Sequence, residues 1–119
     1  MTPFQNTIAV ALNAGIANDG AFVTVPTGQR AVIEHVSVYA TGDGAPAADY
    51  FITSMIGGDS GSCEVPIVTL QTGTGFVRGS QPIRAFADPG TQFGAIVRRI
   101  SGTGDVRANF VLAGYYVAV

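Results

Sequence analysis

The sequence predicts an all-β fold, an eight-stranded antiparallel β-sandwich of the jelly-roll kind, and three observations predict it. Short runs of alternating or β-branched apolar residues recur along the chain. Clusters of Gly, Pro, Asn and Asp separate them at intervals of roughly ten to fifteen residues, as in sandwiches and barrels. No amphipathic stripe of about ten residues suits a helix, so alternating βαβ units are not expected. Eight runs fit the two Greek keys of a jelly roll, with a closed barrel as the alternative. Residues 1–119 read as a single sandwich domain, because a chain of this length encloses one core and is too short for two.

Residues 7–12 set Ile8, Val10 and Leu12 on one face, and Asn13-Ala14-Gly15 and Asn18-Asp19-Gly20 are turn signals. A second strand, 22–25, closes at Pro26-Thr27-Gly28, where proline presets φ and glycine accepts a positive value. The third, 31–40, holds the β formers Val32, Ile33, Val36, Val38 and Tyr39. Its alternation slips near Glu34 and His35, which marks a bulge or a strand packed on both faces. Residues 41–48 are polar or small and read as an exposed loop. The fourth strand, 50–56, sets Tyr50, Ile52, Ser54 and Ile56 against Phe51, Thr53 and Met55, and residues 57–62 break it. A fifth strand spans 65–70 and ends at Thr72-Gly73-Thr74-Gly75. Gly79 and Pro82 interrupt the next run, which predicts a short edge piece followed by a strand over 83–87. After the turn Asp88-Pro89-Gly90 come 93–100 and, last, 106–117, where Val106, Ala108, Phe110, Leu112 and Tyr116 share a parity.

Only 12% of residues are Asp, Glu, Lys or Arg, where about a quarter is usual, and none is lysine. A net charge of −2 with dispersed arginines provides no electrostatic footprint for nucleic acid. Arg98 and Arg99, the one adjacent basic pair, point to opposite faces of a strand and form no patch. The N-terminus lacks the basic and apolar regions of a conventional secretion signal, and no apolar stretch nears the roughly 18 residues of a membrane span. A soluble product without membrane insertion is therefore expected, with location inside a cell or in a released particle left open.

Catalytic chemistry finds little support. Metal centres in small β folds need several converging ligands, and this chain has one histidine, His35. Neighbouring Glu34 shares an ion with it only if a bulge turns one of the two round. Cys63, the single cysteine, excludes an intrachain disulfide and has no spaced base and orienting group to make it a nucleophile. Gly57-Gly58-Asp59-Ser60-Gly61 lacks the nucleophile-elbow pattern, and Gly73-Thr74-Gly75 and Gly102-Thr103-Gly104 lack the lysine and helix of a phosphate loop. Asp43, Asp49 and Asp59 could offer oxygen ligands to calcium, but no Asp-x-Asp-x-Asp spacing is present. No enzyme activity, cofactor or metal is expected.

Glycan binding is the functional alternative, with Tyr39, Tyr50, Tyr115 and Tyr116 as candidate aromatic surfaces. The run Val25-Pro26-Thr27-Gly28-Gln29-Arg30-Ala31-Val32-Ile33-Glu34, with the closing Gly114-Tyr115-Tyr116-Val117, resembles turn-and-strand grammar of small bacterial and phage β-sandwich proteins, and the resemblance implies no activity. The leading expectation is a homo-oligomeric structural or adaptor-like module. Three segments are apolar on both parities: Val32, Ile33, Val36, Val38 and Tyr39; Tyr50, Phe51, Ile52, Met55 and Ile56; Phe110, Val111, Leu112, Tyr115, Tyr116 and Val117. Short glycine-rich loops cover a second apolar face poorly, whereas another subunit covers it well.

Overall fold

The computed structural model describes residues 1–55 and 62–119. Nine strands occur among them: β1 (Thr2–Leu12), β2 (Asn18–Thr24), β3 (Gln29–Thr41), β4 (Ala48–Met55), β5 (Ser62–Pro66), β6 (Leu70–Gly73), β7 (Phe76–Ala87), β8 (Gln92–Arg99) and β9 (Val106–Ala118). They form a five-stranded sheet of order β1-β9-β3-β7-β6 and a four-stranded sheet of order β2-β8-β4-β5, every pair antiparallel. The inner faces pack on each other, so the expected sandwich-like, all-β architecture is present. Period-two alternation builds the core: Ile8, Val10 and Leu12 of β1, Phe93, Ala95 and Val97 of β8, and Phe110 and Leu112 of β9 are buried in one cluster.

The ninth strand arises where the sequence predicts a single strand over 65–70. Val65 pairs with Ile52 in the smaller sheet, whereas Leu70 pairs with Gly79 in the larger. Between them the chain changes sheets. Pro66 ends β5, Ile67 turns into the core with its N–H on the Tyr50 carbonyl (2.9 Å), and the Gln81 Oε1 accepts from the backbone of Val68 (2.9 Å) and Thr69 (3.2 Å). A single side chain thus satisfies the donors that leaving the ladder would orphan.

β7 runs unbroken, in contrast to the interruption predicted at Gly79 and Pro82. Its Gly79 lies so close to the Thr69 carbonyl that a Cβ would collide with it. β6 reaches along β7 only to Gly79, so Pro82 sits on a stretch with a free edge, where proline is tolerated. Residues 41–48 differ from the expected exposed loop. Ala45–Ala47 form a 3-10 turn, and Ala45 is fully buried. The Gly44 N–H donates to the Asp105 carbonyl (3.0 Å), which folds this segment over one end of the core.

The slip in β3 is a bulge. Ile33 pairs with Gly114 and His35 with Ala113, so β3 advances two residues while β9 advances one. Ile33 and Val36 both enter the core, and Glu34 and His35 both lie exposed between them. The bulge resolves the apparent two-faced packing of Ile33, Val36 and Val38, all of which face inward. Ile56 and residues 57–61, which the sequence reading places at the end of the fourth strand and in the loop after it, lie outside the described residues. No helix among the described residues is long and apolar enough to cross a membrane.

Candidate functional site

The four candidate tyrosines divide between the two sides of the larger sheet and the core. Tyr50, 1% exposed, is closed inside, where its hydroxyl donates to the Ala45 carbonyl (2.8 Å) and its ring lies 6.2 Å from that of Phe110. Tyr116 is half-buried on the inner side, its ring 4.8 Å from Phe4. Tyr39, 51% exposed, and half-buried Tyr115 face outward, but their register partners on neighbouring strands, Asn109 and Val32, lie in separate cross-strand rows. The fold therefore does not bring the four together.

Burial pushes the Tyr50 hydroxyl up to about 12 from its usual 10.0. The unfolded chain releases this proton first, so stability falls as pH rises: the contribution is intact below about pH 10 and is lost through about pH 12. The full loss amounts to about 2–3 kcal/mol. Tyr50→Phe is expected to cost about 1 kcal/mol at neutral pH, by stranding the Ala45 carbonyl, and to remove this alkaline slope. Urea unfolding of both proteins from neutral to strongly alkaline pH checks this; equal slopes would contradict it.

Ionisable chemistry remains dispersed. The bulge does turn Glu34 and His35 to one face, the circumstance in which they could share an ion. Among the described residues, however, no three His, Cys, Asp or Glu side chains converge as a metal site. Asp59 lies outside the described residues, and Cys63 is exposed on β5. Arg98 and Arg99 separate as expected. Arg98 stacks over Phe51 at 4.8 Å and pairs with Glu64 at 2.9 Å, whereas Arg99 donates to the carbonyls of Ile16, Gly104 and Asn13.

What the fold does assemble is apolar surface on its outer faces. Across the larger sheet, Pro3 pairs with Tyr115, Tyr115 with Val32, and Val32 with Phe86, giving a row that spans four strands. Val32 is only 5% exposed yet lies outside the central cluster, because Tyr115 and Phe86 flank it in register on the outer side. Across the smaller sheet, Ile96 pairs with Phe51, and Phe22 sits one row away, opposite Gly94. The Phe22 ring lies on the strand surface beside Gly20 and Gly94, where a Cβ would meet its Cζ at 3.3 Å and Cδ1 at 2.7 Å respectively, and is 50% exposed. Along β6, β7 and Val38 of β3 an open groove of about 470 Å³ is lined by Leu70, Gln71, Arg78 and Ser80, with the Arg78 Nε donating to Gln71 Oε1 at 3.0 Å.

Phe22 is not among the candidate aromatic residues that the sequence singles out. The one signal for it is Gly94, inside the predicted strand 93–100, where glycine marks a close approach; Gly20, which reads as a turn, proves to lie in β2. No family model matches this chain, and no curated protein matches it.

Proposed function

We propose that this chain is a non-enzymatic, self-associating structural module, a single domain with jelly-roll connectivity. The pairing supports that connectivity: β1 with β9, β2 with β8, β3 with β7 and β4 with β5 is the pattern of one long hairpin ribbon wrapped on itself, with β6 as an added edge. Jelly rolls serve in shells, lectins and metal enzymes alike, so the function is read from surfaces rather than from topology.

The observation that carries the reading is the outward row of Pro3, Tyr115, Val32 and Phe86 across the five-stranded sheet, continued beside Tyr115 by Val117. A total surface of 6042 Å² carries only six basic and eight acidic side chains, and a sheet face with a near-buried valine on its solvent side suits subunit contact. Closed symmetry is the usual outcome of such contacts.

Light scattering across about a hundredfold range of concentration is expected to return a multiple of 12.2 kDa. A constant 12.2 kDa species, with no larger particle by electron microscopy, overturns the reading. If that monomer binds a glycan array, and Phe22→Ala abolishes binding, the half-exposed Phe22 ring supports glycan recognition instead.

A further inference from the structure

We infer that β1 is the subunit contact: its free edge pairs antiparallel with β1 of a second copy, about a two-fold axis at Thr7, joining two five-stranded sheets into one. This rests on the self-association proposed above and assigns it a contact at the sheet edge, beside the outward apolar row and not upon it.

The sandwich has several free edges, and all but one are guarded. β5 is five residues long and carries Glu64 and Pro66. β6 has four residues, and the stretch of β7 beyond its reach carries Pro82 and Arg84. β2 has seven residues and carries Asp19 near its start. Short length, charge and proline are the devices that discourage strand addition. β1, by contrast, is eleven residues long, TPFQNTIAVAL, without a charged side chain and with proline only near its start. Among the described residues its backbone hydrogen bonds go to β9 alone.

Register fixes which groups are free. The Val119 N–H donates to the Gly28 carbonyl (2.9 Å), and these residues continue the β3/β9 register in which Val32 faces Tyr115. Tyr115 therefore turns its own N–H and C=O toward β3, and its pairing with Pro3 on the other side is the non-hydrogen-bonded kind. Pro3, which has no N–H, fits there without loss. It follows that Pro3, Gln5, Thr7, Ala9 and Ala11 direct their backbone polar groups away from β9.

Gln5, Thr7 and Ala9 can exchange both backbone hydrogen bonds with the same residues of a copy, whereas Pro3, without an N–H, offers Ala11 only its carbonyl. Centring the axis on Thr7 uses the whole strand and sets Gln5 against Ala9, Pro3 against Ala11 and Thr7 against Thr7 of the copy. No like charges meet, and the side chains brought together on the outer face are small or uncharged. The alternate residues Phe4, Ile8, Val10 and Leu12 already pack on their own core, so the pairing needs no rearrangement. The apolar row that starts at Pro3 stays on the outer face and abuts Ala11 of the copy.

The test uses the full chain and three variants. Thr7→Pro removes only an outward N–H, which an edge strand tolerates, and Thr7→Lys sets two ammonium groups face to face at the axis. Both are expected to lower the mass by light scattering at least twofold while retaining the sheet signature in circular dichroism. Thr7→Cys in a Cys63→Ser background is expected to form a disulfide-linked pair on mild oxidation, since hydrogen-bonded antiparallel partners stand about 5.5 Å apart at Cα. If the wild-type chain associates but the Thr7→Pro and Thr7→Lys variants keep its mass and the Thr7→Cys variant does not cross-link, the edge assignment is wrong and self-association stands. A wild-type chain that is monomeric at every concentration removes both.

Discussion

Gly114→Ala is expected to lower the unfolding free energy by about 3–5 kcal/mol, a large share of what a domain this size commands. Gly114 lies in β9 between Phe4 of β1 and Ile33 of β3, the innermost pairing of the larger sheet, at the level of the β3 bulge. A Cβ there would collide with the Val32 carbonyl oxygen and stand 2.9 Å from its carbon and 3.0 Å from the Ile33 Cα. All three atoms are backbone, so no rotamer change relieves them, and β3 and β9 must separate beside the bulge. Gly102→Ala provides the comparison. Its φ of +73° requires left-handed backbone, yet nothing stands within 4 Å of a Cβ, so strain of about 1–2 kcal/mol is the whole cost. Urea unfolding followed by circular dichroism measures both; Gly114→Ala no more damaging than Gly102→Ala would refute the close-approach account.

The same glycine shows why part of the fold is legible in the sequence and part is not. Alternation identifies inward residues wherever a strand is regular, as in Ile8, Val10 and Leu12 or Val106, Ala108 and Phe110, because period two is a local property. Even the bulge announces itself as a slip at Glu34 and His35. Gly20 and Gly79 read as turn or breaker signals, and Gly94 and Gly114 carry no signal within their predicted strands, but all four lie inside strands and sit where a backbone or ring comes close from elsewhere in the chain. Such a requirement is non-local. The crossing from β5 to β6 is hidden for a like reason, since a run from Val65 to Leu70 looks continuous until Gln81, distant in sequence, takes its freed N–H groups. At the candidate surface, the outward apolar residues Val32, Phe51 and Tyr115 are visible as both-parity runs, and their alignment into rows depends on strand order.

Strand order also explains why adjacent arginines are expected to behave unequally, with Arg99→Ala costing about 2–3 kcal/mol and Arg98→Ala at most about 1 kcal/mol. Arg98 faces outward to Glu64, with side chains 45% and 37% exposed, and water replaces most of what the pair provides. Arg99 lies at the end of β8 with its guanidinium shared among three loop carbonyls: Nε to Ile16 at 2.9 Å, one terminal nitrogen to Gly104 at 2.7 Å and the other to Asn13 at 3.1 Å. The Asn13 and Ile16 carbonyls belong to the β1–β2 connection and the Gly104 carbonyl to the β8–β9 connection, so one cation clasps two loops that close the same end of the sandwich. Gly44 packs against this clasp, where a Cβ would lie 3.1 Å from the Arg99 terminal nitrogen and collide with the Gly104 carbonyl. The planar fork is what spans three acceptors at once, so Arg99→Lys keeps the charge but is expected to recover less than half of the loss. Urea unfolding ranks the three variants, and hydrogen exchange should report faster opening at residues 13–17 and 101–105 in Arg99→Ala alone. Equal costs for Arg98→Ala and Arg99→Ala, or full rescue by lysine, would rule out the clasp.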